Sequence, residues 1–208
     1  GGNLGFSQLA RIEYAKLGGI INTDAIDNSA GVNCSDNEVN IKILLNDVVA
    51  GGDMTEKQRN QLLASMSSEV SDLVLANNIK QNEAITLTVS QAAANLQMHD
   101  RLLKELERIA GLDPVVEYLP DVEEIAARIA AQQGFTRPEI AVLLAYTKIL
   151  LKKQLLASRV PDDPYMYFML INYFKDKFDE IVVAACDKDL QQIPNVTYYN
   201  YQKHTQHY

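Results

Sequence analysis

The stretch Asn22-Thr23-Asp24-Ala25-Ile26-Asp27-Asn28-Ser29-Ala30-Gly31-Val32-Asn33-Cys34-Ser35-Asp36-Asn37-Glu38 decides how the chain is read. Small, polar and acidic residues lie between an apolar pair, Ile20-Ile21, and an apolar run from Val39 to Val49. That composition marks a surface turn. Its density of hydrogen-bonding side chains, and the structure bracketing it, point further, to a binding loop that ends on a helix. Ser35 and Glu38 carry the Ser-x-x-Glu spacing of a capping box, which predicts a helix opening at Ser35. A helix start offers free N–H groups and a positive dipole end to a carboxylate or phosphate.

Upstream, the pattern is α/β in miniature. Gly1, Gly2 and Gly5 make a flexible entry, and Ser7 can cap a short helix bearing Leu9, Ile12 and Leu17. Gly18-Gly19 stops it, and Ile20-Ile21-Asn22 reads as a short buried strand.

Downstream, the pattern is helical almost without break. The helix opened by Ser35 aligns Ile41, Leu44, Leu45 and Val48 and ends at Gly51-Gly52. Thr55 and Gln58 form a second capping box, before a helix expected to break at Asn77-Asn78. A third stretch runs to Gly111, its start blurred by the β-branched residues of Thr86 to Ser90. Asp121 and Glu124 cap a helix expected to end at Gly134, and Thr136 and Glu139 cap the most apolar helix, Ile140 to Leu156. Asp163-Pro164 opens a last one, from about Tyr165 to Ala185. The apolar stripes are one-sided, so the helices pack on each other or on a partner. The tail from 187 to 208, polar and rich in Tyr, Asn and Gln, is expected to be disordered.

Composition narrows the function. Apolar residues make up 47% of the 208 and charged residues 22%, ordinary for a soluble domain. A net charge of -8 argues against nucleic acid and against a basic membrane patch. No apolar run reaches the ~20 residues of a spanning helix. Two distant cysteines, Cys34 and Cys186, suit a reducing cytoplasm better than a disulfide framework. The chain opens Gly1-Gly2-Asn3 without Met, which reads as a piece of a longer polypeptide.

The loop's acidic density suggests calcium, but an EF-hand needs Gly at its sixth position and Glu at its twelfth. Counting from Gly31 puts Ile26 first and Asn37 twelfth, so no metal site is expected. Cys34 has no nearby His to activate it and reads as a small residue packed in a turn. His99 reads as a helix-surface residue rather than a ligand. Asn28, followed by Ser29-Ala30-Gly31, reads as the start of a turn, although the small residues would let a ligand approach the backbone.

Gly2-Asn3, Asp24 and Asn28-x-Ala30-Gly31-Val32-x-x-Ser35-x-x-Glu38 resemble the end of the nucleotide-binding domain of glutamate dehydrogenases. The wording of Arg11 to Ala15, Ile21 to Asp24 and Asp27 to Leu45 is similar to the large bacterial NAD-specific type. Residues 136–148, with Leu119-Pro120 and Asp162 to Tyr165, resemble the helical C-terminal region of that type. The resemblance covers about residues 1–170, and the tail after Asp187 matches nothing in the family.

The resemblance implies a mainly α chain. Residues 1–50 would be a small α/β remnant of a Rossmann-like NAD-binding domain, and residues 51–186 a helical C-terminal domain. It places Asn3 near the nicotinamide half of NAD, Asn28 facing nicotinamide and substrate, and Ser35 on the distal carboxylate of glutamate. Gly2 stands where the family usually has Ala, and Ser29 and Ala30 shift its small-residue pattern. The chain has no Gly-rich dinucleotide fingerprint, and the catalytic Lys and Asp of the family would lie before Gly1. The expected function is thus a fragment of a cytoplasmic, homo-oligomeric enzyme that converts L-glutamate to 2-oxoglutarate and ammonia with NAD, inactive by itself. A helical interaction module without a catalytic role is the alternative.

Overall fold

The computed structural model describes residues 5–166, 198–200 and 205–207. Eight α-helices are described: α1 (Gln8–Lys16), α2 (Asp24–Asp27), α3 (Ser29–Ala50), α4 (Glu56–Ser65), α5 (Ser67–Ser90), α6 (Leu96–Ala110), α7 (Val122–Ala130) and α8 (Arg137–Leu156). A 3-10 turn, Val160–Asp162, follows. Tyr198–Asn200 (β1) pairs antiparallel with Thr205–His207 (β2), within the tail expected to be disordered. The remainder of that tail, and most of the helix expected from Tyr165 to Ala185, lie outside the described residues.

The mainly α expectation holds, and the local signals behind it are visible. Ser7 accepts the Ala10 N–H, Asp121 accepts the Glu124 N–H, and Thr55 and Gln58 close a reciprocal capping box. Gly111 caps α6 in the left-handed conformation, at φ 73°.

Five details differ from the sequence reading, the last being that the third stretch expected to run helical to Gly111 is interrupted by a turn at residues 91–95, between α5 and α6. Ile20-Ile21-Asn22 is irregular rather than a strand, and Ile20 is 83% exposed. A strand needs a neighbour to receive its backbone hydrogen bonds, and residues 5–166 contain no other strand.

The second difference is at Ser35. The helix starts at Ser29, so Ser35 is an exposed residue inside α3 rather than a cap. Ser-x-x-Glu is also simply one turn of any helix, and the preceding turns here are already helical: Gly31 N–H donates to the Asn28 carbonyl at 3.1 Å.

Third, α5 passes through Asn77-Asn78 and Thr86 to Ser90 without a break. The side chains satisfy the helix locally: Asn82 Nδ2 donates to the Asn78 carbonyl, and the Thr86 and Thr88 hydroxyls donate one turn back, to Asn82 and Ala84. The break falls earlier, at Met66 between α4 and α5. Fourth, α7 ends at Ala130 rather than running to Gly134.

The chain divides into two units, with the boundary falling inside α3 and α5. The first comprises residues 1–32 and 76–157. Its core is built on α8, which packs against α1, α2 and α6. Ile85, Leu96, Leu103, Leu106, Ile140 and Val142 are among its buried residues. The second unit comprises residues 33–75 and 158–208. Its described core is smaller, with Ile41, Leu45 and Met66 buried and Leu62, Leu63 and Val70 packed on them.

Candidate functional site

In the first unit, a cleft of about 550 Å³ is lined by Gly5, Phe6, Arg11, Ile20, Ile21, Asn22, Asp27, Asn82 and Arg137. Its framework is polar and long-range. Arg11 lies on α1 and is 2% exposed. Its Nη1 donates to Asp27 Oδ2 at 2.7 Å and to the Asn22 carbonyl at 3.0 Å, and its Nη2 reaches Asp24 Oδ1 at 3.2 Å. One guanidinium thus holds both acidic residues of α2. Burying that charge is tolerable only because carboxylates and carbonyls meet it.

Asn22 is the hub. Its Nδ2 donates to Asp27 Oδ1 at 2.8 Å and to Asn82 Oδ1 at 2.9 Å, while its Oδ1 accepts from Arg137 Nε at 2.8 Å. Both amide protons and the carbonyl are used, as a buried amide requires. Arg137, at the start of α8, also donates from Nη1 to the Thr86 hydroxyl at 2.8 Å and from Nη2 to Asn82 Oδ1 at 3.1 Å. The network ties α1, α2, α5 and α8 around the cleft.

A smaller recess of about 270 Å³ adjoins a second cluster, the buried pair Arg128 and Glu139 with the more exposed Glu124. Burial works against the Arg128 charge, yet the Glu139 carboxylate, and after it Glu124, hold its pKa above the ordinary value. Glu139 also accepts from the backbone N–H and the hydroxyl of Thr136, so one carboxylate serves a helix start and an ion pair.

The residues singled out from the sequence fall as follows. Asn3 lies outside the described residues. Asn28 is half-buried at the junction of α2 and α3, where it ends α2. Ser35 lies in the second unit while Asn28 lies in the first. Cys34 is a free, exposed thiol on α3, not packed in a turn. His99 overturns its surface reading: it is 3% exposed, edge-on to Phe135 at 5.7 Å, and neither ring nitrogen meets a hydrogen-bond partner.

Arg11, Asn22 and Arg137 were not singled out as site residues. Arg137 stands inside the segment that carries the C-terminal resemblance, but its partner Asn22 is 115 positions away. No local spacing encodes that contact. The one available signal was Arg11, charged beside the apolar Ile12 and two acidic residues of a nearby loop.

Residues 1–88 match the family model for the bacterial NAD-glutamate dehydrogenase catalytic domain, and residues 132–181 match the glutamate dehydrogenase C-terminal model. The chain is a relative of the bacterial NAD-glutamate dehydrogenases. An NAD-specific glutamate dehydrogenase of Pseudomonas aeruginosa is 55% identical over 166 residues, which is 80% of this chain and 10% of that protein. One from Halomonas elongata is 51% identical over 164 residues, covering 79% of the chain and 10% of its own length. One from Mycobacterium tuberculosis is 42% identical over 212 residues, covering 95% of the chain and 13% of its own length. The chain therefore spans about a tenth of the length of the first two relatives. The last alignment leaves out only 5% of the chain, so the likeness to these dehydrogenases extends into the tail expected to match nothing. No described helix is long and apolar enough to cross a membrane.

Proposed function

We propose that this chain is a segment of an NAD-dependent glutamate dehydrogenase, the enzyme that oxidises L-glutamate to 2-oxoglutarate and ammonia. The observation that carries the reading is 55% identity, over 80% of the chain, to a protein named for that activity. The match of residues 1–88 to the catalytic-domain model supports it.

NAD would supply the hydride acceptor. The described residues do not form a dinucleotide site by themselves. Residues 5–166 contain no strand–turn–helix, and Ser35 lies inside a helix rather than at its start. No step of the reaction is therefore assigned to this chain alone. Its contribution would be to position groups: Asn3 and Asn28 toward the cofactor, and Ser35 toward the distal carboxylate of glutamate. Of these, Asn28 is the one whose backbone lies beside the Arg11 network. It directly follows Asp27, which Arg11 fixes, and its backbone N–H is bonded to Asp24. The reading extends to a cytoplasmic homo-oligomer, on the two widely separated cysteines and the one-sided apolar stripes of the helices.

Two assays test it. The chain alone should show no glutamate-dependent reduction of NAD, and appreciable NADH formation would overturn the segment reading. In the longer polypeptide, Ser35→Ala should raise KM for glutamate roughly tenfold, as expected for losing a hydrogen bond to a charged group. An unchanged KM would remove Ser35 from the substrate site.

A further inference from the structure

Asn28 is braced on both sides from α8. On one side, Arg137 Nε donates to Asn22 Oδ1 at 2.8 Å, and Asn22 Nδ2 donates to Asp27 Oδ1 at 2.8 Å. On the other, Lys148 Nζ donates to Gln81 Oε1 at 2.7 Å, and Gln81 Nε2 donates to the Ser29 hydroxyl oxygen at 3.0 Å. Asn78 Oδ1 lies 2.5 Å from the same hydroxyl, which ties Ser29 to α5 as well. Asp27 and Ser29 are the two neighbours of Asn28 in the chain. Each relay runs through a single intermediate side chain, and both lie within the first unit.

The flanking side chains are engaged and the one between them is not. Asn28 is half-buried and, among the described residues, its side-chain amide has no hydrogen-bond partner. Its backbone is fixed: the N–H donates to the Asp24 carbonyl at 3.0 Å, and the carbonyl accepts from the Gly31 N–H at 3.1 Å. A held backbone that presents an unengaged amide is a preorganised contact, because the supporting bonds fix the group before a ligand arrives. Arg137 suits the supporting role, its guanidinium being taken up by Asn22, Thr86 and Asn82. The anchors and the residue they brace belong to different modules. Arg137 and Lys148 fall within residues 132–181, matched to the C-terminal model, whereas Asn28, Asn22 and Gln81 fall within residues 1–88, matched to the catalytic model.

We propose that Arg137 and Lys148 are positioning residues of the dehydrogenase. Through Asn22–Asp27 and Gln81–Ser29 they hold Asn28 where its amide meets the nicotinamide end of NAD. The C-terminal module thereby sets the geometry of a cofactor contact that the catalytic module supplies. The inference rests on the reading that places Asn28 toward the cofactor.

The test is a double-mutant cycle on kcat/KM for NAD, at saturating glutamate, in the longer polypeptide. Asn28→Ala should lower it at least about tenfold. Arg137→Lys, which keeps the charge and loses the fork, should lower it about three- to tenfold. Lys148→Met should cost about two- to threefold, less because its bond to Gln81 is exposed. Lys148→Arg keeps a charged donor and should retain most of the activity. In the Asn28→Ala background neither Arg137→Lys nor Lys148→Met should lower kcat/KM further, a non-additivity that a general loss of stability does not produce. Amide exchange across residues 27–31 should rise in both relay variants. Full activity in Asn28→Ala would overturn the cofactor role of Asn28, and the positioning role with it. A loss in Asn28→Ala to which the relay variants add in full, or unchanged exchange in both of them, overturns the relays alone. If Arg137→Lys does not fold, Lys148→Met decides.

Discussion

Arg128 and Glu139 face each other fork to fork: Nη1 lies 2.8 Å from Oε2 and Nη2 lies 2.8 Å from Oε1. Both residues are buried, and they link α7 to the first turn of α8. Removing Glu139 leaves the buried Arg128 charge with only the more exposed Glu124 as an acidic partner. Glu139→Leu should therefore destabilise the chain by about 3–5 kcal/mol. Replacing both, as Arg128→Met with Glu139→Leu, should cost clearly less than the sum of the single changes. Urea unfolding midpoints at constant m measure this. Additive losses would show that the pair is not coupled.

His99 makes stability depend on pH. Burial of its ring pushes its pKa below the ordinary 6.5, because the charged form is denied water. Between the lowered folded value and 6.5 the unfolded chain binds more protons than the folded one, so stability rises with pH there. The contribution is complete above 6.5 and is lost as the pH falls below it. His99→Phe should flatten that acid-side loss. It should also leave neutral-pH stability equal or higher, since two unpartnered buried nitrogens are removed. Unfolding midpoints at about pH 5 and pH 7 for both chains provide the comparison. Parallel pH profiles would show that His99 does not carry the effect.

The caps were legible in the sequence because a cap is chemistry between residues three apart. Ser7, Thr55, Asp121 and Thr136 all form the local bonds their spacing implies. The same local rule misplaced the start of α3, because one turn of helix interior also spaces Ser35 and Glu38 by three. Ile20-Ile21 misled for another reason: apolar β-branched pairs favour strands only where a neighbouring strand exists. The cleft was not legible, since Arg11 and Asn22, Asn82, and Arg137 converge from three distant parts of the chain. His99 was misread because helix periodicity says which residues share a face and not how deeply that face is buried.

Gly134 is held to glycine by space. A Cβ there would lie on the backbone of Ala92 and Ala93, well inside van der Waals contact. Neither backbone segment can rotate away as a side-chain tip could. Gly134→Ala should destabilise by about 1–3 kcal/mol, the range for overpacking. Gly52→Ala offers a contrast. Nothing lies near its added Cβ, and its cost would come only from the positive φ of 84°. Thermal unfolding of the two variants separates steric from conformational strain, with Gly134→Ala the more destabilised.

Arg11 is expected to set the order of α2. Four residues are too few to hold a helix by backbone bonds alone, since nucleation costs more than so short a run returns. Arg11 supplies what is missing by gripping Asp24 and Asp27 together. Arg11→Gln should then raise amide hydrogen exchange across residues 24–28, by an amount equivalent to roughly 1–3 kcal/mol of local opening. The amides of Leu103 and Leu106, whose side chains are buried on α6, should keep their protection. Asp27→Asn should mimic the change more strongly than Asp24→Asn, because Asp27 is the less exposed partner and also accepts from Asn22. If α2 exchanges no faster without Arg11, the packing of Ile26 into the core is what holds it, and the ion pairs are incidental to the placement of Asn28.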